Sequence, residues 1–184
     1  MRTRGTSYEV AAMTTDPYDA PAIRELTDAD WPQVHALVVE VATAGETYAM
    51  DVPQSEAETR ELWTGRHNVV AVDDSSVLGT AKMGPNRPAQ GSHVGTASFM
   101  VGAAARGRGI GRALGEYAVQ WHRDNGFSAI QFNAVVSTNT AAIRLWESLG
   151  FTTIGVVPDA FRLPDGHAGP YADLHVMYLD LGVR

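Results

Sequence analysis

Arg106-Gly107-Arg108-Gly109-Ile110-Gly111-Arg112 decides how this chain is read. A strand-like stretch, Val94–Val101, runs up to it. A helix-period stretch, Gly109–Asn125, leaves it, with Ile110, Leu114, Tyr117, Ala118 and Trp121 on one face. Glycines at such a junction let the backbone turn and let a ligand come close to its amides. The first N–H groups of a helix have no partner inside it, and the helix dipole favours negative charge there. Three arginines in seven residues add local positive charge to a chain of net charge −7. Together these features make a pyrophosphate cradle; the plain alternative is a glycine-rich turn with solvated arginines. Two other phosphate loops fall away. The segment lacks the Gly-Lys-Ser/Thr ending of a Walker loop. The next strand, Ala129–Val136, holds no acidic residue for a ribose, which a dinucleotide fold needs.

Val94–Val101, the long helix and Ala129–Val136 are expected to form a parallel strand pair joined by a crossover helix. The first of these strands carries Gly95, Ala97 and Ser98, so something packs closely against it. Gly126 ends the helix. Downstream, a helix over Thr140–Leu149 is closed by Gly150, and strands follow at Phe151–Val157 and Leu174–Leu179. Upstream lies a strand at Ala22–Leu26, then a helix with Trp31, Val34, Val38 and Val41 on one face, ended by Gly45. A second helix runs from Ser55 to Trp63, where Ser55 and Glu58 fit a capping box. Asn68–Val72 and Val77–Met83 read as a hairpin turned at Asp73–Ser76, and 85–91 as a loop. The order β-α-α-β-β-β-α-β-α-β-β predicts an α/β fold: a mixed central sheet of about seven strands with helices on both faces. Residues 1–21 show no periodicity and are read as a mobile tail, leaving 22–184 as one domain.

Composition narrows the function. The acidic balance excludes general nucleic-acid binding, which needs a basic surface. No run of 18 apolar residues is present, so no membrane-spanning helix is expected. Arg2 and Arg4 are not followed by an apolar stretch, so no signal peptide is read and the expected location is the cytoplasm. The absence of cysteine excludes a thiolate zinc site and a cysteine nucleophile. The six histidines have no metal-ligand spacing, and no metal is expected. His93 and His122 are read as surface residues.

Arg106-x-x-Gly109-x-Gly111 resembles the Gln/Arg-x-x-Gly-x-Gly/Ala loop of the GCN5-related N-acetyltransferases (GNAT). A second match supports it. Asn139-x-x-Ala142-x-x-Leu145-Trp146-x-x-x-Gly150-Phe151 resembles that family's Asn-x-x-Ala-x-x-Leu-Tyr-x-x-x-Gly-Phe segment, one helix and one strand further on. The resemblance covers residues 22–181 and is strongest from 94 to 157. It implies acetyl-CoA as cosubstrate, with Arg106, Gly107, Arg108, Gly109, Ile110, Gly111 and Arg112 around the pyrophosphate. Phe99, Met100 and Val101 would offer backbone groups to the pantetheine and the acetyl oxygen, and Asn139 would contact the cofactor. The two parallel strands should splay apart at that end, with the thioester in the gap.

The chain departs from the family at the acid and base. Trp146 stands where many relatives have a tyrosine that protonates the leaving thiolate, and an indole N–H is no useful acid. Trp146 then either belongs to the core or packs along the pantetheine arm. The strand before Asn139 reads Asn133-Ala134-Val135, where many relatives have a glutamate base. Gln131 and Asn133 share one face of that strand. Asn133 and Asn139, with Pro158–Leu163 and Tyr171-x-Asp173, resemble a subgroup that acetylates proline analogues such as azetidine-2-carboxylate. Thr96 departs from that subgroup's asparagine. Catalytic candidates are Asn133, Glu46 and Asp173, with His175 as a further base; Tyr48, Asn133 and Arg162 are the substrate-binding candidates. Arg162 belongs to Pro158–Pro170, read as a segment able to fold over the cleft and pair with a substrate carboxylate. The function expected is acetyl transfer to the amine of a small molecule or amino acid. A catalytically silent acyl-CoA-binding module and a protein or peptide acetyltransferase are the alternatives, and the reading leaves room for a homodimer.

Overall fold

The computed structural model describes residues 21–183, so the tail expected over 1–21 lies outside the described residues except for Pro21. Among the described residues seven strands and four α-helices follow one another: β1 (Ala22–Glu25), α1 (Trp31–Ala44), α2 (Glu56–Trp63), β2 (His67–Asp73), β3 (Ser76–Pro85), β4 (Val94–Val101), α3 (Ile110–Asp124), β5 (Ala129–Val136), α4 (Thr140–Ser148), β6 (Thr152–Arg162) and β7 (Tyr171–Asp180). The strands form one sheet in the order β1-β2-β3-β4-β5-β7-β6. Only β4 and β5 run parallel; every other pair is antiparallel. The mixed sheet with helices on both faces is the one expected. Among the described residues no helix is long and apolar enough to cross a membrane.

Side-chain alternation explains the layers. Val70, Val72 and Met100 meet α1 through Trp31, Val34, Leu37, Val38 and Val41. Their strand neighbours Val69 and Ala71 point the other way, onto Ile110, Leu114 and Ala118 of α3. Phe132, Phe151 and Met177 continue that second face against Trp146 of α4. Local signals set the helix ends. Gly45 takes φ 63° and stops α1. The Ser55 hydroxyl accepts the Glu58 N–H, while the Glu58 carboxylate reaches Gln54 N–H instead of closing the reciprocal box.

Two expectations need correction. His122 is fully buried rather than solvent-facing. Gly95 makes the room: a Cβ there would lie 2.2 Å from His122 Cδ2. The ring packs edge-on against Trp121 and Phe127, and its Nδ1 lies 2.7 Å from the Ala118 carbonyl oxygen. Burial pushes its pKa down, so the ring is neutral. The second correction concerns Pro158–Arg162, which continues β6 instead of folding over the cleft. A bulge between Val157 and Phe161 absorbs the irregular residues. Asp159 sits there at φ 52°, its N–H held by Asp173 Oδ1 at 3.0 Å. Pairing then resumes at Phe161↔Ala172, with Phe161 buried against Val136 and Leu163.

Candidate functional site

The parallel pair is short. Val94 pairs with Ala129 and Gly95 with Ile130, and no further pairing joins β4 to β5. From Thr96 onward the two strands part, as the sequence led one to expect. The far edge of β4 is therefore open, and the β3 ladder shows which groups it presents. Successive residues of an antiparallel strand direct their N–H and C=O alternately toward and away from the partner. Gly102 donates to the Leu78 carbonyl at 3.0 Å, so Gly102 and Met100 face β3. Ala97, Phe99 and Val101 then present their backbone to the gap. Of the three residues expected to serve the pantetheine, Phe99 and Val101 offer gap-facing amides, while Met100 is turned to β3 and its side chain is in the α1 core.

The phosphate-type loop lies at the open end of this gap. A short 3₁₀ turn, Ala103–Ala105, leads into it, and Gly107 and Gly109 take φ 77° and 78°. Left-handed backbone of this kind favours glycine. A Cβ at either position would meet nothing within 4 Å, so the space over both residues is open. The first hydrogen bond of α3 runs from Ala113 N to Gly109 O. The N–H groups of Gly109, Ile110, Gly111 and Arg112 thus have no partner within the helix and converge at its positive end. The arginines are partly engaged elsewhere. Arg108 pairs with Asp73 at 2.7 Å, and Arg112 reaches the Ser148 hydroxyl at 2.8 Å and Glu116 at 3.3 Å. Arg106 is exposed beside them.

Asn139 caps α4, its side-chain oxygen accepting Ala142 N–H at 3.2 Å. Trp146, two turns further along α4, is only 6% exposed. Its ring lies 4.8 Å from Phe99 and 4.9 Å from Phe132, centroid to centroid. It rests on Gly115 of α3, where a Cβ would come within 2.9 Å of the indole.

The α1–α2 connection brings Tyr48 to the gap. Its hydroxyl donates to the Phe99 carbonyl at 2.8 Å and accepts the Phe99 N–H at 2.9 Å. Burial raises its pKa to about 12, so it holds its proton at working pH. Glu46 is exposed two residues before it. On β5, Gln131 and Asn133 point away from buried Phe132, as alternation requires. Gln131 Nε2 donates to Asn133 Oδ1 at 2.8 Å, and Asn133 Nδ2 donates to Asn86 Oδ1 at 2.7 Å. Asp173 and His175 stand on β7. The Asp173 carboxylate is bonded to Asp159 N–H, and His175 Nδ1 lies 3.3 Å from the Thr153 hydroxyl. Arg162 is exposed on the outer strand opposite Tyr171. The register sets it beyond Val136 and two strands over from β5, apart from the amide chain at Asn133. Among the described residues, no group of three or more His, Cys, Asp or Glu could hold a metal ion.

Two contributors escaped sequence reasoning. Glu40 accepts Ala103 N–H at 2.7 Å and so ties α1 to the entrance of the glycine loop. Asn86 closes the amide chain to Asn133 from the β3–β4 connection. Neither lies in a motif; each acts across more than 45 residues of chain, and only the fold reveals it.

This arrangement has known counterparts. The family model described as Acetyltransferase (GNAT) family matches residues 15–151. The chain is 32% identical over 150 residues to the N-acetyltransferase aca1 of Schizosaccharomyces pombe, covering 72% of this chain and 71% of that protein. Among solved structures, a GCN5-related N-acetyltransferase from Kribbella flavida superposes with a TM-score of 0.82 at 51% identity, over 87% of this chain and 97% of that one. A GNAT-superfamily phosphinothricin acetyltransferase from Sinorhizobium meliloti, solved in complex with acetyl-CoA, gives 0.78 at 25% identity, over 88% and 89%. On the glycine loop, the parted strands and these matches, the chain belongs to the GNAT acetyltransferase family.

Proposed function

We propose that the chain transfers the acetyl group of acetyl-CoA to the amine of a small molecule that also carries a carboxylate. The observation that carries this is the open edge of β4 ending at the free amides of α3. Such an edge fits an extended arm with amide groups, and the loop fits a pyrophosphate at one end of it. The open space over Gly107 and Gly109 admits phosphate oxygens to the amides. Acetyl-CoA bound there supplies an activated acyl thioester. Gly109 to Arg112 hold the phosphates, Phe99 and Val101 align the arm, and Asn139 and Trp146 border it. Support for the cosubstrate comes from the acetyl-CoA complex of the Sinorhizobium relative.

Asn133 argues for the carboxylate. Its oxygen accepts from Gln131, and one of its two amide protons goes to Asn86. What it has left to offer the cleft is an N–H, which suits a carboxylate or carbonyl rather than an ammonium. The resemblance to the proline-analogue subgroup points the same way; Arg162, on the β6 edge apart from Asn133, does not share that carboxylate and serves as the comparison variant. Glu46, exposed beside Tyr48, is left to take the proton from the amine. Asp173 is the weaker base because Asp159 N–H occupies its Oδ1.

The experiment is thiol release from acetyl-CoA against amino acids, cyclic imino acids, polyamines and basic peptides, with wild type, Asn133→Ala and Arg162→Ala. A hydrogen bond to a charged group contributes about 1.5–3 kcal/mol, so KM for a carboxylate substrate should rise roughly tenfold or more in Asn133→Ala. Best turnover of peptides or polyamines, with Asn133→Ala like wild type, would reject the acceptor class. Trp146 in place of the family's tyrosine favours a second reading, a binding module without turnover, and it predicts no thiol release with any amine.

A further inference from the structure

We propose that Tyr48 is the proton donor to the leaving coenzyme sulfur, and that its hydroxyl first yields its place on Phe99 to the incoming thioester. This rests on the acetyl-CoA reading of the β4 edge. Three observations carry it. The Tyr48 hydroxyl does not lie on the rim; it bonds both the N–H and the C=O of Phe99, a residue whose backbone points into the gap between β4 and β5. Where β5 would complete the ladder, a phenol does so instead. Any acyl chain laid along that edge needs the same pair of groups, so hydroxyl and ligand compete for them. Second, Tyr48 belongs to the stretch between α1 and α2, which carries no helix or strand, so it can shift without breaking a ladder. Its ring leans edge-on against Trp63, 6.2 Å away, which keeps the hydroxyl over the gap when it lets go of Phe99. Third, the position of the family's usual acid holds Trp146, packed on Gly115 and ringed by Phe99, Phe132 and Phe151.

The step balances. The amine lone pair forms the N–C bond and the C–S bond breaks with its electrons on sulfur. Tyr48 O–H gives its proton to that sulfur. Glu46 takes the first proton, from the ammonium, so that a neutral amine attacks; the phenolate regains the second from the same nitrogen, directly or through water, and ends the cycle as a phenol.

The test is Tyr48→Phe, which keeps the ring packed and removes the hydroxyl. Acetyl-CoA affinity by calorimetry should be unchanged or several-fold tighter, because nothing competes for Phe99. The kcat should fall roughly a hundredfold or more, the range of a general acid. A merely structural bond would do the opposite to binding: loosening β4 weakens affinity. Weaker affinity in a folded variant, or an unchanged kcat, overturns the proposal. A second measurement does not depend on that variant. With 3-fluorotyrosine placed at position 48, saturating acetyl-CoA should shift the fluorine resonance as the hydroxyl leaves Phe99. A silent resonance in protein that binds acetyl-CoA overturns the Tyr48 proposal alone. Failure of wild type to bind acetyl-CoA overturns the underlying function and this inference with it.

Discussion

Trp146→Ala tests whether that indole is a pillar of the fold. The side chain is 6% exposed and touches three phenylalanine rings, and it seats against the bare backbone of Gly115. Truncating such a residue removes its transfer free energy and leaves a cavity between α3, α4 and β5. The combined cost for a buried tryptophan is about 3–5 kcal/mol. At roughly 2–4 °C per kcal/mol for a chain of this size, Tm should drop by about 6–20 °C. Trp146→Phe keeps part of the packing and should lose only a fraction of this. The indole cannot give up a useful proton, so Trp146→Phe should leave the alkaline side of the kcat–pH profile in place. Differential scanning calorimetry and the pH profile together decide it. A melting point like wild type for Trp146→Ala refutes the packing argument. Loss of the alkaline limb in a folded Trp146→Phe refutes the chemical one.

Gly115→Ala should destabilise by about 1–3 kcal/mol through overpacking, since its Cβ would lie 2.8 Å from Leu149 Cδ1 and 2.9 Å from Trp146 Cζ3. Trp146→Phe should relieve part of that cost, and urea unfolding of the double-mutant cycle measures the coupling; strict additivity would deny the contact. Asp30 predicts an acid-dependent stability. Its carboxylate holds Arg24 at 2.6 and 2.7 Å and accepts the Thr27 N–H and hydroxyl, which sets its pKa far below the ordinary value near 3.8. The folded state thus binds this proton less readily than the unfolded state. The Asp30 contribution is present above the ordinary carboxylate pKa and is lost as pH falls below it. Thermal melts from pH 6 to pH 2 should show a steeper decline for wild type than for Asp30→Asn, and parallel curves would remove Asp30 from the account.

Much of the fold was written locally. The seven strands, the four helices and the glycine stops at Gly45, Gly126 and Gly150 follow from periodicity and backbone freedom, and the glycine spacing marks the loop as a candidate anion site. What escaped depends on partners distant in sequence. His122 reads as surface beside Arg123 and Asp124, yet Gly95 on β4 opens a slot for it that α3 alone cannot reveal. Pro158 and Asp159 read as loop, yet a carboxylate from Asp173 holds the bulge that lets β6 continue. Tyr48 was visible as a polar aromatic near the first helix. That its hydroxyl would sit on Phe99, 51 residues away, could not be read from spacing. The acid and base positions were legible as departures from a family pattern, since an absent residue in a motif is a local fact, whereas its replacement is a tertiary one.

The central claim is that the start of α3 holds the pyrophosphate of acetyl-CoA. Titration calorimetry of acetyl-CoA into wild type and into Gly109→Glu tests it most directly, with melting curves to establish that the variant is folded. The substitution sets a side chain and a negative charge into the open space over the loop, at a backbone φ of 78° that favours glycine. The account predicts a measurable affinity for wild type and its loss, by roughly a hundredfold or more, in the variant; several kcal/mol of loop contact and charge are at stake there. Equal affinity in the two folded proteins would contradict it.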